Sequence, residues 1–408
     1  MIQDKIFKLT GKVQHYAWGG NEYIPHWLGV DNAEKKPFAE YWMGAHPSAS
    51  SSIIMNDKEE NLYQLIQQQP ELFLGKKVTE QFGELPYLFK ILDVKEMLSI
   101  QVHPSKESAA KGFDDEDRKG ILIHASNRNY KDKNHKPEVM VALSEFWLLH
   151  GFLQEDKLLK VLQTVPEFNG FEKIVLDKGY KGLYEHVMIM PQEKVDTLLR
   201  SLVEREINRK KNLPAGRQDN KLTKHDAGWW VAKLYEHEAP TSNIDKGIFS
   251  IYFFNIVKTN PGEAVFQGAG VPHAYLEGQN VELMANSDNV LRGGLTPKYI
   301  DVPELMNHII FEGIEPDVMK GIDLTGGEKS YPCPVYDFGI SRIELNAGET
   351  YQAESTSLEI IVIIEGELHI SGTNTINAKK GEAIAILPGE TYSISAKNKL
   401  CTYKAFVP

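Results

Sequence analysis

Gln101 and His103 stand two residues apart in Leu98-Ser99-Ile100-Gln101-Val102-His103-Pro104, where apolar and polar residues alternate, so a strand there points both polar side chains to one side. A carboxylate follows in His135-Lys136-Pro137-Glu138, and Val271-Pro272-His273-Ala274-Tyr275 adds a second imidazole far along the chain. Taken singly, each histidine is more often a packed or hydrogen-bonded residue than a ligand. Together, Gln101, His103, Glu138 and His273 offer two imidazoles, a carboxylate and an amide oxygen. That set suits Zn²⁺, and also Fe²⁺ or Mn²⁺, with room left for a substrate.

Cations lie around this set. Pro137 fixes its own φ and pushes Lys136 towards an extended conformation, so Lys136 is held on the same side as Glu138, where an ammonium could carry a proton or hold an oxyanion. Arg292 precedes Gly293-Gly294, which gives the backbone room to approach an anion. Lys90 and Lys298 are candidate phosphate contacts. No glycine-rich nucleotide loop and no Ser/His/Asp or Cys/His nucleophile arrangement is present.

The elements that must position these residues are mainly β. At 408 residues the chain is long enough for two or three compact units. The first 150 residues read as short strands with one helical interlude around Leu62, Leu65 and Ile66. From about Gln154 to Glu238 a 3.6-residue period takes over (Val195, Leu198, Leu199, Leu202, Val203, Ile207), with Pro191 at a helix start and a surface loop at 209–224. Strand character returns at Ile248–Phe254 and fills the chain from about Ser330 onward. Gly262-Glu263-Ala264-Val265 with Gly270 recurs without a gap as Gly381-Glu382-Ala383-Ile384 with Gly389. A turn-strand-turn unit of this kind carries a metal ligand into a double-sheet jelly roll of the cupin type. The residue three beyond the last glycine is His273 in the first copy and Tyr392 in the second, so the second barrel is expected to be a partner without a metal. The expected division is a catalytic unit at 1–152 and 241–325, a helical insert at 153–240 and a degenerate barrel at 326–408.

With 45 basic and 56 acidic residues, a formal charge of −11 gives no reason to expect nucleic acid or an anionic membrane as partner. Two cysteines, Cys333 and Cys401, are too few for a disulfide framework and point to a reducing compartment, with the cytoplasm as default. The start lacks a signal-peptide core, and the densest aliphatic run, Ile360 to Ile364, is too short to span a bilayer.

Several segments carry a resemblance: Gln14 to Gly19, Glu40 to Pro47, Leu98 to Lys106, Asp132 to Glu138 and Pro272 to Asp301. Together they closely resemble type I mannose-6-phosphate isomerases, over most of the chain except the insert loop. The resemblance implies a cupin-fold enzyme with one zinc ion per chain, bound by Gln101, His103, Glu138 and His273, with Arg292 in the catalytic role. It implies interconversion of mannose 6-phosphate and fructose 6-phosphate through an enediol(ate), in a monomer or weak homo-oligomer. The carbon base stays open among His135, Lys136, Asp288 and Glu282; phosphate is expected at Lys90, Lys298 and Ser99. A cupin oxygenase on iron and a catalytically silent bicupin are the competing readings.

Overall fold

A computed structural model describes residues 3–211, 222–236 and 240–408. The architecture is mainly β, with antiparallel sheets of nine, ten and four strands and helices set around them. Among the described residues no helix is long and apolar enough to cross a membrane. The ten-stranded sheet carries Gln101, Glu138 and His273. Its long central strand His273–Ala285 bends at Gly278, whose φ of 125° only glycine adopts readily, and so pairs with different neighbours along its two halves. The first half lies against Phe146–Phe152 and, at His273, against Gln101; the second lies between Tyr87–Val94 and Glu138–Ala142. One strand thereby brings His273, Glu138 and Gln101 within reach of each other.

The helical block is as the periodicity requires. Helices Glu155–Thr164, Phe171–Met188, Gln192–Lys211 and Ala227–Leu234 follow one another, and Pro191 directly precedes the third. Val195, Leu199, Leu202, Val203 and Ile207 are buried in one cluster with Trp147, Leu149 and Phe152 of the sheet. Residues 209–211 of the expected loop are still helical, and 212–221 lie outside the described residues.

Two readings of the sequence are corrected. Gly247–Phe253 is a helix, with the strand starting only at Phe254. All seven helical residues are buried, so the run is apolar on every side and carries no period that separates helix from strand. The first 150 residues also hold more helix than one interlude. Besides Leu62–Gln68, capped by the Asn61 side chain, they contain Tyr23–Leu28, Pro70–Leu74, Lys76–Phe82 and Lys106–Arg118. Most of these are one or two turns long, too short for periodicity to show.

The glycine echo extends into the strand pairing. Gly262 and Gly381 have φ of 84° and 87°, and Glu263 and Glu382 each accept the backbone N–H three residues upstream at 2.8 Å. Gln267 pairs opposite Glu138 in the first copy, as Ile386 does opposite Glu359 in the second. The same bookkeeping sets Lys404 where Glu282 stands, Ser341 where Lys90 stands and Glu328 where Glu40 stands. Tyr392 opposite Ala353 replaces His273 opposite Gln101. The second copy is therefore self-neutralised. Tyr392 donates its hydroxyl to Glu359 at 2.7 Å, while the buried Lys404 ammonium lies 2.9 Å from Glu328 and donates to the Tyr351 hydroxyl at 2.7 Å. Removing one partner of a buried pair strands the other's charge, so Lys404→Met is expected to cost about 3 kcal/mol. Urea denaturation measures this, with activity at 25 °C unchanged because the substitution lies in the other copy.

Candidate metal centre

His103, Glu138 and His273 converge. Their ligand atoms all lie within 4.8 Å of one another, and all three side chains are buried. His103 Nε2 is 3.3 Å from Glu138 Oε1, and His273 Nε2 is 3.4 Å from Glu138 Oε2. The other ring nitrogens are already committed: His103 Nδ1 donates to the Asn289 carbonyl and His273 Nδ1 to the Val271 carbonyl, each at 2.9 Å. Each Nδ1 therefore carries a proton; in the neutral ring each Nε2 then presents a lone pair, and neither Nε2 has a hydrogen-bond partner among the described residues. Burial reinforces this by pushing the His103 imidazole down to about 4. Glu138 is ionised: burial opposes it, but the Lys136 ammonium beside it holds its carboxyl well below the usual range. Two imine lone pairs facing a carboxylate in a buried pocket repel unless a cation sits between them. The spacing fits one, since ligand atoms about 2.1 Å from a tetrahedral zinc stand about 3.4 Å apart.

A cavity of about 50 Å³ opens beside this cluster, lined among others by Gln101, Lys136, Tyr275 and the ion-paired Glu40, Lys90 and Glu282. Gln101 is in register with both His273 and Arg292, so the amide, the imidazole and the guanidinium rise from three adjacent strands. A larger cleft of about 830 Å³ beside Ile6, Ile54 and Asn374 gathers no imidazole.

The loops that finish the site are tied together. The buried Asn289 side chain donates to the carbonyls of Asp132 and Asn134 at 2.8 Å and accepts the Lys131 N–H at 2.7 Å. Asp132 accepts the Asp288 N–H at 2.8 Å and the Ser287 hydroxyl at 2.9 Å. This knot joins the segment bearing Lys136 to the segment bearing Asp288, and its Asn289 carbonyl is the one that orients His103.

The remaining expected residues separate into two groups. Lys136 Nζ lies 3.1 Å from Glu138, and Asp288 is exposed at the rim with His46 at 3.5 Å. Arg292 is half-buried and has no ion pair among the described residues, and exposed Lys298 shares its electrostatic neighbourhood. Lys90 differs from expectation. It is buried 2.9 Å from Glu282 and 3.6 Å from Glu40, so two carboxylates already neutralise it and leave it no free charge for a phosphate. Glu282 is spent on the same pair. His135 turns the other way from Lys136, with Nε2 3.1 Å from both oxygens of Asp337. Ser99 precedes the strand Ile100–Val102 and is not among the cavity-lining side chains.

Residues 6–155 match the family model for the catalytic domain of type I phosphomannose isomerase. The chain is 37% identical over 392 residues to the mannose-6-phosphate isomerase of Salmonella typhimurium, covering 95% of this chain and 94% of that protein. The chain belongs to the type I phosphomannose isomerase family. The human mannose-6-phosphate isomerase is 33% identical over 428 residues, covering 97% and 96%. A solved structure of the Salmonella enzyme bound to fructose 6-phosphate and zinc superposes with a TM-score of 0.85 at 34% identity, over 99% of this chain and 100% of that one. Sequence reasoning missed Glu40, His46 and Asn289, although all three lie inside the resembling segments Glu40 to Pro47 and Pro272 to Asp301. No spacing rule marks them, because each works through a partner more than 40 residues away in sequence.

Proposed function

We infer that this chain interconverts mannose 6-phosphate and fructose 6-phosphate, with one zinc ion held by His103, Glu138, His273 and the Gln101 amide oxygen. The observation that carries this is the convergence of the His103, Glu138 and His273 ligand atoms within 4.8 Å of one another, with both imidazole Nδ1 atoms already donating to backbone carbonyls. When bound, zinc supplies a Lewis acid that stabilises negative charge on the sugar oxygens next to the reacting carbons.

The chain's own residues do the rest. A base must take the C2 proton of the aldose, and a proton must return at C1, while the hydroxyl proton moves between the two oxygens. Asp288 is the carboxylate that takes the carbon-bound proton: hydrogen bonding from His46 holds it below the usual carboxylate range, so it is ionised at neutral pH. Lys136 moves the proton between oxygens from its place beside Glu138. Arg292, half-buried and without an acidic partner among the described residues, adds fixed positive charge for the enediolate, and Lys298 holds the phosphate at the mouth. The chain divides into a cupin-type jelly roll at 1–152 and 241–325, a helical insert at 153–240 and a second, metal-free jelly roll at 326–408. The strand Ile6–Thr10 binds the first unit to the second by pairing with Ala383–Ile386.

A coupled assay of fructose 6-phosphate formation tests the reading. Chelation should abolish turnover and stoichiometric zinc should restore it; full activity in metal-free protein would refute it.

A further inference from the structure

His46 lies at the end of the segment that follows the strand Glu40–Gly44, and it is buried, unlike its neighbours Pro47 and Ser48. Its ring is fixed on three sides. The Ser48 backbone N–H reaches Nδ1 at 3.3 Å and the Ser48 hydroxyl lies 2.8 Å from the same atom. A backbone N–H only donates, so Nδ1 is the acceptor and the ring proton resides on Nε2. The Trp42 ring packs edge-on at 5.1 Å, and its own N–H is bonded to Glu40. Nε2 then faces Asp288 Oδ2 at 3.5 Å. The resulting line, Ser48 to His46 to Asp288, ends on a carboxylate that is 55% exposed at the rim of the site, with its backbone pinned by Asp132.

We propose that His46 is a positioning residue for Asp288: its Nε2–H holds one carboxylate oxygen so that the other faces the sugar carbon. This rests on the assignment of Asp288 as carbon base. The function itself needs Asp288 to be ionised and pointed, and an exposed carboxylate on a loop loses side-chain entropy to reach one orientation. A buried, tautomer-fixed imidazole supplies both constraints without contacting substrate. Other charges face the same pair. Lys136, Lys90, Lys131 and Tyr16 surround Asp288, Asp132 lies beneath it, and Glu84 lies near His46. Of these, Asp132 opposes ionisation of Asp288, and Lys136 and Lys90 favour it. The His46 contribution is separable because it is directional.

The test compares His46→Gln with His46→Asn in the zinc-loaded protein, since a glutamine amide can place an N–H near the Nε2 position and an asparagine amide near Nδ1. For His46→Asn, kcat should fall about tenfold with KM little changed. The acid limb of kcat/KM should move up by about half a pH unit. His46→Gln should keep the limb near its original pH. Equal behaviour of the two variants, whether both intact or both impaired, overturns the proposal, because packing alone does not distinguish them. Asp288→Asn separates the underlying assignment: if that variant turns over normally, Asp288 is not the base and both ideas fall. If it is inactive while the limb ignores residue 46, only the role of His46 fails.

Discussion

Glu138→Gln, purified with zinc in the medium, is expected to lose turnover by about 10³-fold, or ~4 kcal/mol of transition-state stabilisation. The reason is charge. Glutamine keeps the shape of the side chain but removes the anion that faces both imidazole lone pairs at 3.3 and 3.4 Å. Zinc content, read by metal analysis after dialysis, should fall well below one per chain. Stability should fall as well. Without metal, the wild-type carboxylate is paired with Lys136 at 3.1 Å, and glutamine leaves that nearly buried ammonium without its partner. The metal-free variant should therefore be less stable than the metal-free wild type by about 3 kcal/mol. Zinc should raise the melting temperature of the wild type and leave the variant nearly unmoved. A variant that keeps both stoichiometric zinc and activity would show that Glu138 is not a ligand.

Lys136→Met should lower kcat by about 10²- to 10³-fold while zinc remains bound, because the ammonium is asked to move a proton and not to hold the metal. Methionine preserves most of the aliphatic stem and removes the charge. Steady-state kinetics and zinc analysis on the same sample decide this. Near-normal kcat would end the proton-transfer role. Loss of zinc in parallel with kcat would make Lys136 a support for Glu138 instead.

The candidate metal ligands were legible because a period-two alternation and a Pro-stiffened turn are local signals, and local signals survive in sequence. Gln101 and His103 share a side, and Glu138 opens a strand, as read. The roles of Lys90 and Glu282 were not legible. They sit opposite each other on adjacent strands, 192 residues apart in sequence, and only the register turns two candidate site residues into one ion pair. The helix Gly247–Phe253 failed for another reason: burial on all faces erases the period that a half-exposed element displays. The glycine echo understated the duplication, since four residues and a spacing stood for a shared network of strand pairings.

The amine of Lys404 gives the C-terminal copy a counter-charge that cannot diffuse away. At His103, Glu138 and His273 the corresponding charge comes from the solvent's supply of metal. Under zinc starvation the chain should therefore go silent without coming apart: the Lys404 ion pair does not depend on the ion, and Ile6–Thr10 is stitched into the sheet that holds it. Such a polypeptide waits intact, and its revival is limited by the arrival of an ion and not by refolding.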